Sequence, residues 1–193
     1  MGKVIIVLSI SVDGFIAGDN VRLEEPMGEG GDMLHDWLGD TSDPRNHDVL
    51  TQGIGGLGAV ITGRHNYEMS IKWWGADGPT GDARLPVFVV SHSSPKSVPE
   101  SGVYTFVDGI EASLKQAQAA AGEKDVSIMG GANIAQQFIN ANLVDEIQLH
   151  VIPVLLGSGM RLFDHLTIER TLLEPVKVID TRAATHLRYR LVK

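Results

Sequence analysis

The sequence contains no cysteine among its 193 residues. A disulfide framework is therefore excluded, and a cysteine nucleophile has no place. No apolar run approaches the roughly 20 residues that a membrane-spanning helix needs, and the longest runs, such as Val4–Ile10, have the length of a strand. No N-terminal stretch combines a basic segment, an apolar segment and a small-residue cleavage site. These absences predict a soluble, cytoplasmic protein.

Positive charge is also scarce, because 16 lysine and arginine residues face 24 acidic residues and leave a formal net charge of −8. A nucleic-acid surface needs clustered basic residues, so we expect neither a nucleic-acid nor a membrane partner. The seven histidines show no HExxH or other ligand spacing, and no metal site is predicted. The GxSxG motif of serine hydrolases is missing as well. A small-molecule partner remains.

The apolar pattern predicts one α/β domain spanning residues 1–193, with a mixed sheet of about eight strands flanked by three or four helices. Crossover units come early in the chain and strand pairs come late. Polar segments at 19–31 and 40–48 are predicted as an exposed loop and a turn-rich segment. Strands are predicted at 3–11, 59–62, 85–91, 103–107, 126–129, 146–154 and 187–191. Helices are predicted at 32–38, after Gly63, from a capping box at Asp108 and Glu111 to Gly122, and at 132–141.

Two strand-to-helix junctions carry glycine. The first is Val60-Ile-Thr-Gly-Arg-His-Asn66, and the second is Met129-Gly-Gly-Ala-Asn133. Glycine lets a phosphate approach the backbone where the first N–H groups of a helix are unpaired, and Arg64 adds a guanidinium. Neither junction is a GxGxxG fingerprint. The alternative, that the glycines only allow the chain to turn, stays open for each.

Polar residues at strand ends and on the short helix are the remaining candidates. Val90-Ser91-His92 ends a strand where it could hold a ribose or a 2′-phosphate, although a simple strand end is an equal alternative. Asp13 follows the first strand, and the spacing of four between Asp32 and Asp36 predicts one shared helix face. Surface charge is the alternative for all three acids. The pair Trp73-Trp74 is interpreted as packing or as a dimer contact.

Five segments together resemble the dihydrofolate-reductase-like family, in the branch of the reductase domain of bacterial riboflavin biosynthesis. They are Ser9-Ile-Ser-Val-Asp-Gly-Phe-Ile-Ala17, Thr62-Gly-Arg-His-Asn-Tyr-Glu68, Val89-Val-Ser91, Met129-Gly-Gly-Ala-Asn133, and Leu143-Val-Asp-Glu-Ile147 through Pro153-Val-Leu-Leu-Gly-Ser-Gly159. The resemblance runs nearly end to end. It implies a three-layer fold and NADPH as the cofactor.

The resemblance also implies roles for individual residues. NADPH would be held by residues at both junctions, at the strand end and beside the nicotinamide: Ile16, Ala17, Gly63, Arg64, His65, Asn66, Val90, Ser91, His92, Gly130, Gly131, Ala132, Asn133 and Ile134. Asp13 would meet the substrate and relay a proton, with Gly157 and Gly159 at the rim of the cleft. The acid that dihydrofolate reductases place on their first helix would be Asp32 or Asp36, and the long loop before this helix leaves open which of the two it is. We assign Asp36 to catalysis and Asp32 to substrate binding.

The expected activity is NADPH-dependent reduction of a small heterocyclic, carbonyl or imine substrate. One alternative is a non-catalytic module that binds a nucleotide or a pterin-like molecule, because a fold does not fix a function. A narrower alternative is the phosphoribosylamino-pyrimidine reductase of riboflavin synthesis, although no deaminase zinc motif is present and the long loop is acidic. The resemblance further suggests a homodimer.

Overall fold

A computed structural model describes the whole chain, Met1–Lys193. The strands are β1 (Val4–Ser11), β2 (Phe15–Ala17), β3 (Leu57–Gly63), β4 (Val87–Val90), β5 (Tyr104–Val107), β6 (Asp125–Met129), β7 (Glu146–Ile152), β8 (Met160–Arg161), β9 (Leu173–Asp180) and β10 (Thr185–Leu191). The α-helices are α1 (Pro44–Gly56), α2 (Arg64–Trp74), α3 (Ile110–Ala121) and α4 (Ala132–Asn140). Two 3-10 helices lie at Gly31–Leu38 and Gly78–Ala83.

Eight strands form the central sheet in the order β5-β4-β3-β6-β1-β7-β10-β9, and β2 pairs with β8 in a separate ribbon. All pairs from β5 to β7 are parallel, whereas β10 runs antiparallel to both β7 and β9. The prediction of a mixed sheet of about eight strands, with crossovers early and strand pairs late, is confirmed. Because the parallel strands share one direction, their carboxyl ends meet at a single edge of the sheet.

The two faces of the sheet are covered differently. On one face, α3 and α4 pack over β1, β3, β4 and β6 and enclose a core cluster of 22 buried residues, among them Ile6, Ile61 and Phe138. On the other face, α2 packs through Tyr67 on Val60, Val87 and Val89. Truncating Phe138, which is fully buried, to alanine would cost about 3–5 kcal/mol. The fold therefore has three layers, with its main core on one side of the sheet.

The structure corrects several predicted elements. The segment predicted as turn-rich contains the start of α1, where the Asp43 side chain accepts a hydrogen bond from the Arg45 N–H and Pro44 occupies the first turn. Glycines near the end of α1 hide its helical pattern in the sequence. The capping box at Asp108 is wrong, because Gly109 is the N-cap of α3 without a side-chain bond. Strand β9 is not among the predicted strands, because it lies at the sheet edge, where every residue but Ile179 is exposed and Val176 and Val178 face solvent.

Three smaller expectations have clear outcomes. The loop 19–31 is largely exposed, as predicted, but Val21, Pro26 and Met27 line a cavity described below. No helix has the length and apolar character required to span a bilayer. Trp73 is 54% exposed, whereas its neighbour Trp74 lines the same cavity. The homodimer stays a prediction.

Candidate active site

The two predicted glycine junctions lie side by side, because β3 and β6 are neighbours in the sheet. The Asn66 side chain, in the first turn of α2, rests against Gly130, where a Cβ atom would lie 2.1 Å from Asn66 Nδ2. Gly130 and Gly131 both have positive φ angles, of +76° and +81°. Asn66 Nδ2 also donates to Thr62 Oγ1 over 3.0 Å. Only glycine fits at Gly130, and the two turns form one surface, which we call the glycine edge.

The helices that begin at the glycine edge have no side-chain caps. Gly63 is the N-cap of α2 and Gly131 is the N-cap of α4, and neither helix start receives a side-chain hydrogen bond. The first N–H groups of both helices are therefore available to an anion, and the helix dipoles favour one. The side chains of Ala132 and Ile134 are buried. These two residues could contribute to a phosphate site only through their backbone.

Arg64 and Ser91, which the sequence places in separate motifs, are joined in the structure. Arg64 Nη1 donates to Ser91 Oγ over 3.1 Å and to the Ser93 carbonyl over 2.6 Å. Its Nε donates to Glu68 over 2.8 Å, and its side chain stays 27% exposed. The guanidinium is thus fixed at the end of β4 and still reaches solvent. This position suits an exposed phosphate group.

His92 lies farther out than Ser91. Its side chain is 95% exposed and its Nδ1 lies 2.7 Å from the Asp108 carboxylate. Asp108, predicted to cap α3, contacts His92 instead. Asn133 is likewise engaged, since its Oδ1 accepts a hydrogen bond from Gln137 over 2.6 Å. These predicted cofactor residues form the outer rim of the glycine edge.

A cavity of about 520 Å³ lies beneath α1 and α2 on the face of the sheet opposite the main core. Six of the predicted cofactor residues line it: Ile16, Ala17, His65, Asn66, Gly130 and Gly131. The other predicted cofactor residues do not. Helix α1 forms its roof through Val49, Leu50 and Ile54. The cavity therefore extends from the glycine edge to the space between α1 and the sheet.

The floor of this cavity is polar. Strands β1, β7 and β10 bring Ser9, His150 and His186 into one cross-strand row, and Gln148 and Arg188 into the next. We call these five residues the cavity floor, and all of them line the cavity. A polar patch facing a cavity with many apolar lining residues is the usual composition of a small-molecule site. None of these five residues is among those predicted from the sequence.

A hydrogen-bonded histidine pair occupies the centre of the cavity floor. His150 Nδ1 lies 2.7 Å from His186 Nδ1, and His186 Nε2 lies 3.1 Å from Asn46 Oδ1. The Trp37 ring packs on both imidazoles, with centroid separations of 4.4 and 4.9 Å, and its Nε1 donates to Ser9 Oγ. Burial and the neighbouring His186 lower the pKa of His150 to about 3. Both rings are therefore uncharged at neutral pH.

An ion cluster closes the cavity floor at one end. Glu146 is fully buried and accepts hydrogen bonds from Lys3, over 2.6 Å, and from Arg188 Nε. Burial acts to raise the pKa of Glu146, but the Lys3 and Arg188 bonds outweigh it and the pKa lies below its usual value. Asp125 lies 3.6 Å from the same guanidinium. Arg188 is therefore already paired and adds little free positive charge to the cavity.

Asp13, the predicted proton relay, is held by three donors. Its carboxylate accepts hydrogen bonds from Ser11 Oγ, over 2.6 Å, and from the Leu156 and Gly157 N–H groups, over 3.2 and 2.7 Å. The Ser11 hydroxyl and then these two amides lower the pKa of Asp13. The residue does not line the cavity. The structure thus gives Asp13 a positioning role, in which its carboxylate holds the loop after β7.

Asp32 and Asp36 do not share a face, which corrects the prediction from their spacing. The segment is a 3-10 helix with about three residues per turn, so residues three apart align instead. Leu34 and Trp37 are accordingly the buried pair, whereas both aspartates are exposed and neither lines the cavity. The structure does not bring these two acids to the site.

Gly157 and Gly159 belong to the loop that Asp13 holds. A Cβ atom at Gly159 would lie 2.1 Å from the Ala17 carbonyl, so this glycine allows β8 to pair with β2 beside the cavity. Gly157 has open space around it and offers its N–H to Asp13. Gly159 borders the cavity wall at Ala17 and Met160, and neither glycine lines the cavity.

One signal in the sequence could have revealed the cavity floor. The apolar alternation of Ile147, Leu149 and Val151 leaves the intervening positions, Gln148 and His150, on the opposite face of β7. Strand β10 repeats this pattern, with His186 and Arg188 between its apolar residues. Polar residues on one face of a central strand indicate either solvent or a cavity. A cavity can be distinguished from solvent only when α1 is known to cover this face of the sheet, and the sequence pattern does not predict α1.

Comparisons with known proteins agree with this geometry. The profile of the family described as RibD C-terminal domain matches residues 2–187. The uncharacterized protein YwjB of Bacillus subtilis (strain 168) is 31% identical over 170 residues, which cover 88% of this chain and 87% of that protein. A second uncharacterized protein of that organism, YyaP, is 28% identical over 171 residues, covering 83% of this chain and 80% of that protein.

Solved structures show the same fold. A protein from Shewanella sp. PV-4, provisionally described as a riboflavin biosynthesis protein, superposes with a TM-score of 0.74 at 24% identity and covers 99% of each chain. The diaminohydroxyphosphoribosylaminopyrimidine deaminase/5-amino-6-(5-phosphoribosylamino)uracil reductase of Thermotoga maritima gives a TM-score of 0.66 at 13% identity, with 99% of this chain and 57% of that chain covered. The predicted fold is confirmed. The chain belongs to the RibD C-terminal domain family, the dihydrofolate-reductase-like branch that its motifs resemble.

Proposed function

We propose that the protein is an NADPH-dependent reductase of a small heterocyclic, carbonyl or imine substrate. The observation that supports this proposal most is the glycine edge, where two uncapped helix starts and the Arg64 guanidinium lie at the carboxyl ends of adjacent parallel strands. A dinucleotide carries a pyrophosphate and, in NADPH, a 2′-phosphate, and both need such donors. Membership of the RibD C-terminal domain family gives the same direction.

The residues present fit the cofactor. Backbone N–H groups after Gly131 would bind the pyrophosphate, because Gly130 and Gly131 carry no side chains of their own and no capping residue competes. Arg64 and Ser91 would hold the 2′-phosphate at the end of β4. Ile16 and Ala17, at the cavity wall, would border the nicotinamide. The bound cofactor supplies a hydride.

The protein's own contribution is to orient the substrate and exclude water. Apart from Arg188, which is paired with Glu146, the cavity floor offers uncharged hydrogen-bonding groups, while α1, the loop 19–31 and Trp37 cover it. Asp13 fixes the loop after β7, and Gly159 on that loop contacts the Ala17 carbonyl. Holding the reacting carbon close to the nicotinamide binding wall is the main catalytic gain available to such a site.

Titration of the purified protein with NADPH and with NADH tests the proposal. We expect NADPH to bind more tightly, and we expect Arg64→Ala to weaken NADPH about tenfold or more while NADH changes little, because a guanidinium gains most from the 2′-phosphate. Arg45→Ala is the matched control, since Arg45 is an exposed arginine paired with Asp43 away from the cavity. Failure of both nucleotides to bind would refute the proposal.

A non-catalytic binding module is the second candidate, and one observation favours it. None of the three predicted acids, Asp13, Asp32 and Asp36, lines the cavity, and the acid that does, Asp125, accepts a hydrogen bond from the Lys3 N–H. The two candidates differ in turnover. Oxidation of bound NADPH by a panel of carbonyl and imine compounds would identify a reductase, whereas NADPH binding without oxidation across the panel would identify the module.

A further inference from the structure

Within the histidine pair of the cavity floor, one ring nitrogen has no partner in the protein, His150 Nε2. The His150 side chain is almost fully buried, and its only hydrogen bond is the one that Nδ1 makes to His186. We propose that His150 determines substrate specificity: Nε2 accepts a hydrogen bond from an N–H or O–H group of the substrate, and His186, Asn46 and Asp40 hold the ring in the tautomer that leaves this nitrogen unprotonated. The substrate part of this inference rests on the proposed function.

The network that fixes the tautomer begins at Asp40. Asn46 Nδ2 donates to Asp40 Oδ2 over 2.9 Å, and a carboxylate at neutral pH only accepts. The Asn46 amide is therefore oriented with its oxygen toward His186 and Thr181. Thr181 Oγ1 lies 2.9 Å from that oxygen, and His186 Nε2 lies 3.1 Å from it. Because an amide oxygen only accepts, His186 Nε2 must carry a proton.

The proton on His186 Nε2 also determines which nitrogen of His150 carries a proton. Burial lowers the pKa of His186, so the ring is neutral and its Nδ1 has a lone pair. His150 Nδ1, at 2.7 Å, must then donate to it. His150 is neutral as well, because burial and the neighbouring His186 lower its pKa to about 3. A neutral imidazole protonated at Nδ1 has an unprotonated Nε2.

The surroundings of His150 favour an uncharged ligand that brings a donor. Trp37 packs on the ring from one side, and Ser9 and His186 flank it in the cross-strand row. The Ser9 hydroxyl accepts from Trp37 Nε1, and Arg188, in the next row, is tied to Glu146. A ligand that fills the cavity without a donor would leave Nε2 desolvated and unpaired, which is costly in a buried site. The Gln148 amide in the next row also has no partner, but it can donate or accept, so a requirement for a donor on the ligand comes from His150 Nε2.

The ligand-free protein tests the first half of the proposal. In the full chain labelled with 15N-histidine, long-range proton–nitrogen spectra distinguish a protonated from a bare ring nitrogen. We expect His150 to carry its proton on Nδ1 and His186 on Nε2. Asn46→Ala should release both rings into mixed tautomers, whereas His47→Ala, an exposed histidine on the same helix, should leave them unchanged. A proton on His150 Nε2 in the wild-type protein would overturn the proposal.

A matched pair of probes tests the second half. Lumazine offers ring N–H donors, and 1,3-dimethyllumazine lacks those at the methylated positions. We expect the wild-type protein to bind lumazine about tenfold or more tightly than the methylated compound, with a shift of the His150 Nε2 signal. In His150→Leu the ratio should fall severalfold, whereas His47→Ala should keep it. An unchanged ratio in His150→Leu, no preference in the wild type, or no binding of either compound would overturn the assignment of His150 to specificity.

The two proposals fail separately. NADPH affinity is measured on the same samples, by a titration that does not involve His150. Loss of NADPH binding in the wild type would refute the reductase and leave the tautomer and the probe preference to be judged on their own. If His150→Leu does not fold, the wild-type spectra still decide the tautomer, and the Asn46→Ala variant then carries the probe comparison, with a reduced lumazine preference expected.

Discussion

The glycine edge and the cavity floor adjoin one another, but the first is formed by backbone groups and the second by side chains. At the glycine edge, backbone N–H groups and the absence of side-chain atoms create the site, as at Gly130 and Gly131. At the cavity floor, side chains from three strands create the site, and hydrogen bonds to their partners hold the two histidine rings in place. The first region should therefore fail when atoms are added, and the second when partners are removed.

The largest effect is expected from Gly130→Ala. Its φ of +76° disfavours any side chain, and the added Cβ would lie 2.1 Å from Asn66 Nδ2, so the Asn66 side chain must move from its position beside Thr62. We expect a loss of about 2–4 kcal/mol in the free energy of unfolding from the combined strain and overpacking. NADPH affinity should fall by about 30-fold or more, a little over 2 kcal/mol. Denaturant unfolding and nucleotide titration measure the two effects.

Gly122→Ala is the control that separates backbone strain from the loss of space. Gly122 has a φ of +62° at the end of α3, and a Cβ there would meet no atom within 4 Å. Only the strain cost of about 1–2 kcal/mol should appear. NADPH affinity should stay unchanged. Equal NADPH losses in both variants would contradict a site built on the contact between Gly130 and Asn66.

This difference between backbone groups and side chains explains why the glycine edge could be predicted from the sequence and the cavity floor could not. The glycine edge is formed by residues that are consecutive in the sequence, Gly63-Arg64 and Gly130-Gly131, so a local motif indicates it. The cavity floor joins His150 and His186, which are 36 residues apart along the chain and adjacent only through strand register. Register depends on pairings that local sequence does not encode. The predicted strands begin and end within one or two residues of their observed bounds, because apolar periodicity is also a local signal.

The next largest loss of stability is expected when Arg188 of the cavity floor loses its carboxylate partner, Glu146. Glu146→Gln leaves Lys3 and Arg188 without their buried carboxylate. Because both cations are partly exposed, we expect a loss of about 2 kcal/mol at pH 7, less than for a fully buried pair. Thermal and denaturant unfolding measure this change. Glu174→Gln, in the exposed pair with Arg190 on the neighbouring strand, should cost about 0.5 kcal/mol or less.

The pH dependence of stability sharpens the same comparison. The folded pKa of Glu146 is lowered, so its stabilisation is present above the unfolded value of about 4.5 and is lost as the pH falls through the folded pKa. The wild-type protein should lose this contribution on acidification, and Glu146→Gln should lose less over the same range. Parallel acid transitions in the two proteins would mean that the carboxylate contributes little.

A smaller and local effect is expected from Asp13→Asn. The substituted side chain keeps only one oxygen, so at least one of the bonds from Ser11, Leu156 and Gly157 is lost. We expect the amide exchange of Leu156 and Gly157 to accelerate about tenfold at neutral pH, because local opening becomes easier. In the wild type, the carboxylate holds the loop above its unfolded pKa and releases it as the pH falls through the lowered folded value. Unchanged exchange at both amides would show that the Asp13 carboxylate does not hold this loop.

Candidate acids were harder to choose than candidate glycines, for a physical reason. A carboxylate performs chemistry only where its environment directs it, and that environment comes from distant segments. Asp13 meets Leu156 and Gly157 from a loop more than 140 residues away along the chain. Asp32 and Asp36 depend on the helix type, because an α-helix would align them and the observed 3-10 helix does not. Sequence spacing alone could decide neither case.

The smallest effect is expected from Asp36→Asn and Asp32→Asn. Both side chains are exposed and neither lines the cavity, so each substitution should change the free energy of unfolding by no more than about 0.5 kcal/mol. NADPH affinity should stay within about twofold of the wild type. Trp37→Phe is the positive control for a substitution on the same 3-10 helix that does reach the cavity. It removes the hydrogen bond to Ser9 and reduces the contact with the histidine pair. A loss of NADPH binding or of turnover in Asp36→Asn would mean that this helix presents an acid to the site, which would contradict the position of both aspartates outside the cavity lining.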